Sequence, residues 1–251
     1  MNGFITEMDV ADMKPFEALQ EWNRTLIHKI SQQMELIERM SRFKRYLSPQ
    51  LADSILESDD SDVFKSCRRD ITAVFLDLRG FTAFSDSAEP EEVMDLLRSY
   101  HKEMGKLIFN FDGTVEHFIA DGMMVFFNAP TPCENHTEKA VRMSLSIRER
   151  AKELRTEWLQ KGYDLDLGIG IATGYAAVGN IGFEGKMDYG AVGNVTNLAS
   201  RLCGAAKGGE ILTDQKTLSH IVHLAEAEPL EEVYLKGFVR PVRPFNIIRL
   251  K

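Results

Sequence analysis

Residues 73–82 read Ala-Val-Phe-Leu-Asp-Leu-Arg-Gly-Phe-Thr, an apolar run that ends on a carboxylate and then breaks at a glycine. Such a run between breakers is the pattern of a buried strand, and a buried strand seldom ends on a bare charge without a use for it. A second aspartate follows 44 residues on, in Phe118-Ile-Ala-Asp121-Gly122-Met-Met-Val-Phe-Phe127, placed in an Asp-Gly turn between two apolar strands. Taken singly, Asp77 reads equally well as a cap or turn residue, and Asp-Gly is an ordinary hairpin signal. The loop Arg79-Gly80-Phe81-Thr82 shifts the balance, because successive backbone N–H groups at a helix start make a phosphate seat. Two strand-end carboxylates beside that seat suit a divalent cation and a triphosphate, since Mg²⁺ takes one or two protein carboxylates and fills its shell with phosphate and water.

Around these segments, strand and helix patterns alternate. The sequence predicts a strand at 70–77, a helix from Pro90 to Phe109, a hairpin at 114–127 and a long amphipathic helix over 136–160. An apolar strand, Leu165 to Ala172, is followed by a short strand around Ala177, a loop bearing Gly179, Gly182 and Gly185, and a strand at 188–192. A helix at 194–206, a strand at 210–213, a short helix and two strands close the chain. This order indicates an α+β fold of the ferredoxin-like, split βαβ type, a mixed sheet with helices on one face. Ahead of it, residues 15–56 read as helix, with Leu19, Trp22, Leu26, Ile30, Ile37, Met40 and Leu47 recurring at spacings of three, four and seven. The stripe asks for a partner helix, and Gln33 and Lys44 interrupt its heptads, so the expectation is a short parallel dimer stalk. A helix folded back on its own domain is the competing reading. Ser48-Pro49 marks a kink or restart and Ser58–Asp62 a polar linker. The expected organisation is an uninformative 1–14, a helical dimerisation and coupling segment with linker at 15–63, and a catalytic domain at 64–251.

A further cluster lies in Val195-Thr-Asn197-Leu-Ala-Ser-Arg201-Leu202. Asn197 and Arg201 are one helical turn apart and share a face, opposite Leu198 and Leu202. An amide and a guanidinium so placed suit a ribose and a phosphate, although an isolated pair of this kind is more often a solvated face. Lys236-Gly237 offers another cation in what reads as an ordinary turn. The formal net charge of -8 argues against a nucleic-acid surface, so an anionic ligand has to be met by a few placed cations and a metal. Three scattered cysteines, Cys67, Cys133 and Cys203, form no framework and argue for a reducing cytoplasm. No apolar run reaches the length of a membrane span, and the acidic N-terminus lacks the pattern of a signal peptide.

At this point the chain resembles the class III adenylyl/guanylyl cyclases. The matching pieces are Phe75-Leu-Asp77-Leu-Arg-Gly80-Phe81-Thr82, Gly113-Thr-Val-Glu-His117-Phe-Ile-Ala-Asp121-Gly122, Gly179-Asn-Ile-Gly182, Asp188 through Leu202, and Leu235-Lys236-Gly237, in the family's order over residues 68–250. Arg45-Tyr-Leu-Ser-Pro49 is similar to the coupling segment before bacterial cyclase domains, which implies an upstream sensor acting through the N-terminal helix. The resemblance implies a homodimer with two composite sites. In each, Asp77 and Asp121 of one subunit would hold two Mg²⁺ or Mn²⁺ ions, helped by the Leu78 carbonyl, and the Gly80-Phe81-Thr82 loop would seat the distal phosphates. The other subunit would supply Asn197 for the ribose, Arg201 for the α-phosphate, and Lys236 for the phosphates or the base. The implied reaction turns a nucleoside triphosphate into its 3′,5′-cyclic nucleotide and pyrophosphate.

The sequence departs from the family at three places. The first base-selecting position, usually Lys for adenine or Glu for guanine, is His117. The second, usually Asp, Thr or Ser for adenine and often Cys for guanine, is Gly190. A neutral imidazole has one donor and one acceptor nitrogen and answers either purine. Ala120 replaces the glycine before the second aspartate, a substitution that costs about 1 kcal/mol if that position needs φ > 0. ATP is the expected substrate, with GTP and pyrimidine triphosphates as alternatives. A catalytically silent nucleotide-binding module is the alternative from another class, and the Gly-Gly-Asp/Glu-Glu-Phe hairpin of diguanylate cyclases is absent.

Overall fold

The computed structural model describes residues 7–43, 46–57 and 65–251. The expected linker Ser58–Asp62, the heptad-breaking Lys44 and the expected domain start near Phe64 lie outside them. The chain divides into two units after Leu47. The first is a single long helix, α1 (Glu7–Phe43), which starts ahead of Pro15 and carries that proline inside it. Leu19, Trp22, Leu26, Ile30 and Ile37 of the apolar stripe are all exposed. The second unit opens with α2 (Pro49–Glu57), restarting where Ser48-Pro49 marks the break. Proline suits the first helical turn, where its missing N–H is no loss.

The rest of that unit runs β1 (Cys67–Arg79), α3 (Phe81–Ser87), α4 (Pro90–Asn110), β2 (Thr114–Ile119), β3 (Gly122–Phe127), α5 (His136–Gln160), β4 (Asp166–Phe183) and β5 (Lys186–Val192). It closes with α6 (Asn194–Ala205), β6 (Ile211–Thr213), α7 (Gln215–Ile221), β7 (Ala225–Pro229) and β8 (Phe245–Leu250). The sheet order is β2-β3-β1-β4-β6-β8-β7, with β5 folded back on β4. Its first four strands follow the β-α-β-β-α-β path of the ferredoxin-like motif, and β1 lies between β3 and β4, antiparallel to both.

Alternation along β1 assigns its two faces. Val74, Leu76 and Leu78 join Val125 and Phe127 of β3 in the main core, against Leu96, Tyr100, Met104 and Ile108 of α4 and Ile147 and Leu154 of α5. The four α4 residues are spaced by four, a single buried stripe. The two long helices thus lie on one face, as the alternating pattern implied. Ile71 and Ala73 point the other way, to a second cluster with Ala172 of β4 and Val195 and Ala199 of α6. This shorter helix covers part of the opposite face, and Asp77 has the parity of that face.

The approach of α6 is unusually close. A Cβ on Gly170 of β4 would collide with the backbone of Ala199 and Cys203, so helix and strand meet backbone to backbone. The sequence also placed a glycine-bearing loop at 179–187, and here the structure differs. β4 runs unbroken to Phe183 and pairs with β5 from Ala177↔Val192 to Phe183↔Lys186. Gly182 sits inside this ladder because its missing side chain leaves room for the Lys186 carbonyl, a close approach that reads like a break in one dimension.

Replacing Gly170 with Ala should lower the stability of the folded chain by on the order of 1–3 kcal/mol, the usual penalty of overpacking. Gly204→Ala on α6, where a Cβ meets nothing within 4 Å, should be neutral or slightly stabilising in the same urea titration.

Candidate active site

Asp77 leaves β1 between two glycines. Gly168 is its partner across β4, and on the other side Asp77 Oδ1 lies 3.7 Å from where a Cβ on Gly122 would be. The missing side chains open a pocket around the carboxylate. Into it comes Arg79, two residues on and therefore on the same face of β1. Arg79 Nη1 donates to Asp77 Oδ2 at 2.6 Å, and Nη2 donates to the Cys203 carbonyl in the last turn of α6 at 2.5 Å. Its guanidinium fills the space a side chain at Gly168 would take. The arginine thus ties the carboxylate to α6 and leaves Oδ1 turned toward Gly122.

Asp121 arrives from the β2–β3 turn. Ile119 pairs with Gly122, so the two turn residues are Ala120 and Asp121, one step earlier than the Asp-Gly pattern suggests. Ala120 carries the positive φ, 53°, the left-handed geometry in which a methyl group is strained. The turn sets Asp121 into the protein, where its Oδ2 accepts from Leu78 N–H at 2.9 Å. Leu78, expected to help through its carbonyl, holds the second carboxylate by its amide. Burial raises the Asp121 pKa, the Leu78 N–H opposes the rise, and the charge of Asp77 and a hydrogen bond with it raise it further. Two carboxyls linked in this way through Leu78, one buried and one half exposed, fit a divalent cation, which would relieve their repulsion. Among the described residues no third His, Cys, Asp or Glu joins them.

Asp77, His117 and Arg201 line one cleft of about 300 Å³, together with Phe75, Met124 and Ser200. Arg201 reaches it from the outer face of α6, which it shares with exposed Asn197. Among the described residues neither side chain has a hydrogen-bonding or ionic partner. Leu202 is fully buried beneath them, against Leu235. That contact pins the turn carrying exposed Lys236 next to α6. Asn197 and Lys236 are not brought into the cleft of their own chain. Gly80 is the N-cap of α3 at φ 84°, and a Cβ there would lie 2.6 Å from the Asp164 carbonyl. Phe81 points into the core, so only its backbone faces the turn, while Thr82 is exposed. His117 stands on β2 opposite Met124, and Gly190 is buried on β5.

The comparisons with known proteins fit this geometry. Residues 64–247 match the family described as Adenylate and Guanylate cyclase catalytic domain. The chain belongs to the class III adenylyl/guanylyl cyclases. Its fold follows the crystal structure of the adenylyl cyclase CyaB from P. aeruginosa with a TM-score of 0.71 and 37% identity, covering 74% of this chain and 96% of that one. It follows the guanylyl cyclase Cya2 with a TM-score of 0.70 and 34% identity, covering 74% and 95%. Adenylate cyclase 1 of Rhizobium meliloti is 30% identical over 198 residues, 78% of this chain and 30% of that protein. The chain thus spans about a third of the length of that curated relative. The family is one of divalent-metal-dependent lyases that make cyclic nucleotides. Among the described residues no helix is long and apolar enough to cross a membrane.

Two residues of the site were not singled out in the sequence. Arg79 was read only as part of a loop, although its two-residue spacing from Asp77 was a usable signal. Glu116, beside His117, has a side chain only 11% exposed and a carboxyl pushed up to about 7, first by burial and then by Asp188, against a hydrogen bond from Ala191 N–H. Nothing local in the sequence marks it.

Two measurements follow from this geometry. Ala120→Gly should stabilise the chain by about 1 kcal/mol, a rise of about 2–4 °C in Tm by calorimetry. The folded state holds the Glu116 proton more tightly than the unfolded one, so this group's contribution is full below about 4.5 and fades as pH rises to about 7. Glu116→Gln should therefore flatten the fall in Tm across that window.

Proposed function

We propose that the chain is a homodimeric nucleotidyl cyclase that converts ATP to 3′,5′-cyclic AMP and pyrophosphate. The hydrogen bond from Leu78 N–H to Asp121 Oδ2 supports this reading, since it brings the carboxylate of the β2–β3 turn to the residue next to Asp77 on β1, two residues before the Gly80 phosphate seat. Asp77 through Oδ1 and Asp121 would hold two Mg²⁺ or Mn²⁺ ions, which when bound neutralise triphosphate charge and lower the pKa of the ribose 3′-hydroxyl. Backbone N–H groups of Gly80, Phe81 and Thr82 face the distal phosphates. Arg201 meets the α-phosphate, where charge grows as the 3′-oxygen attacks in line and the bond to the pyrophosphate oxygen breaks. Asn197, one turn earlier, holds the ribose, and Lys236 meets the phosphates or the base. No covalent enzyme intermediate is needed, and positioning with charge stabilisation supplies the rate.

Dimerisation is supported by what a single chain leaves unsatisfied. Asn197, Arg201 and Lys236 are exposed, with no side-chain partner among the described residues, and α1 carries an exposed apolar stripe suited to a second copy of itself. In a two-fold dimer the α6 face of one subunit completes the carboxylate site of the other. To this helix we also assign the coupling of the pair to an upstream sensor. A specific observation keeps GTP as a second reading: His117 and Gly190 match neither usual pair, and the two similar crystal structures carry the names of an adenylyl and a guanylyl cyclase.

Asp77→Ala should abolish turnover and Arg201→Ala should reduce it by about 100- to 1000-fold. Mixing the two inactive variants should restore roughly a quarter of wild-type activity, because half of the dimers then hold one intact composite site. Failure to complement would overturn the shared site. Offering ATP, GTP, CTP and UTP with Mn²⁺ and resolving the products by chromatography should show cyclic AMP as the main product, and a GTP or pyrimidine preference would replace that assignment.

A further inference from the structure

The departures at the base-selecting positions meet at one point. β2 and β3 pair Val115 with Val125 and His117 with Met124, which leaves Glu116 as an extra residue, a bulge. A bulge takes its side chain out of the strand's alternation and re-aims it. Here the Glu116 carboxyl crosses to β5, where Oε1 accepts from Ala191 N–H at 3.4 Å. A Cβ on Gly190 would overlap that same oxygen. The position that looks empty in the sequence is therefore filled from another strand. His117, the next residue, has Nδ1 4.0 Å from Glu116 Oε1 and lines the cleft with Asp77 and Arg201. The second carboxyl oxygen, Oε2, is buried and has no hydrogen-bond partner among the described residues.

We propose that Glu116 is the nucleobase-selecting residue of this chain, its carboxyl standing where a side chain at position 190 would stand and forming with His117 an acceptor–donor pair for the edge of the base. This rests on the cyclase reading of the cleft. A carboxylate supplies acceptors and an imidazole N–H supplies a donor, so the pair matches a base edge with an N–H beside an acceptor. Adenine presents N6–H beside N1, and guanine presents N1–H beside O6. An enclosed acceptor without a partner is costly, and a base N–H is a group that can satisfy this carboxyl. Glu116 and Gly190 form one device, because any side chain at 190 would evict the carboxyl.

The test uses substrate analogues stripped of the groups that would face Glu116: purine riboside triphosphate lacks the N6–H of adenine, and 2-aminopurine riboside triphosphate lacks both the N1–H and the O6 of guanine. The full chain, Glu116→Gln, Glu116→Ala and Gly190→Ala are assayed with Mn²⁺ on two pairs, ATP against purine riboside triphosphate, and GTP against 2-aminopurine riboside triphosphate. The wild type should prefer one natural nucleotide over its analogue by about tenfold or more in kcat/KM, the worth of a hydrogen bond to a charged group. In Glu116→Ala that ratio should collapse to within about twofold while both members of the pair still turn over. Gly190→Ala should shift it in the same direction. A ratio unchanged in all variants would overturn the proposal and reduce Glu116 to a prop for β5. So would a wild type that discriminates in neither pair. Displacement of a fluorescent nucleotide by the same four compounds is read in parallel. If the wild type turns over nothing, the cyclase reading fails, and the binding ratios alone decide on Glu116.

Discussion

The site depends on the absence of side chains along one face of β4. Gly168 lies opposite Asp77, Gly170 opposite Phe75, and Ala172 opposite Ala73, so this face of the strand is little more than backbone. Because Gly170 has no Cβ, α6 settles directly on the strand. Because Gly168 has none, the Arg79 guanidinium fits between strand and helix and ties Asp77 to the Cys203 carbonyl. Larger residues at these two positions would lift α6 and turn Arg79 out. Helix, arginine and carboxylate hold their places because β4 takes up no room.

Much of this was legible in the sequence, because its signals are local. The α5 boundaries follow from a clean amphipathic period, and the α4 start follows from a proline at the first turn with acidic residues behind it. Asp121 is bonded to Leu78, the neighbour of Asp77, whereas Arg201, which the resemblance gave to the partner's site, lines a cleft with Asp77 of its own chain. What the sequence hid is the part that depends on pairing between distant strands. Gly179 and Gly182 look like loop residues until β5 is laid against them, and the Asp-Gly pattern points one residue past the true turn. The β2 bulge depends on how β2 registers against β3, and no pattern within β2 announces it.

The same distinction separates the two halves of the proposed chemistry. The groups assigned to metal and phosphate sit at the end of β1, in the β2–β3 turn, at the start of α3 and on α6, where the local geometry is written in adjacent residues, and they keep the family's residue types. The groups assigned to the base sit where β2, β3 and β5 converge, and there a residue can be exchanged across strands without loss of shape. An apparent gap at Gly190 and a buried acid at Glu116 then have a single explanation, whereas a position-by-position comparison sees two unrelated oddities.

The backbone contact between α6 and β4 has a mechanical meaning. Side chains between a helix and a sheet act as a cushion, since they change rotamer and absorb small displacements. At Gly170 there is no cushion. β4 is also the strand that continues outward into the β4–β5 ribbon, so a tug on that ribbon reaches Arg201 with no slack in the linkage, as through a rigid lever.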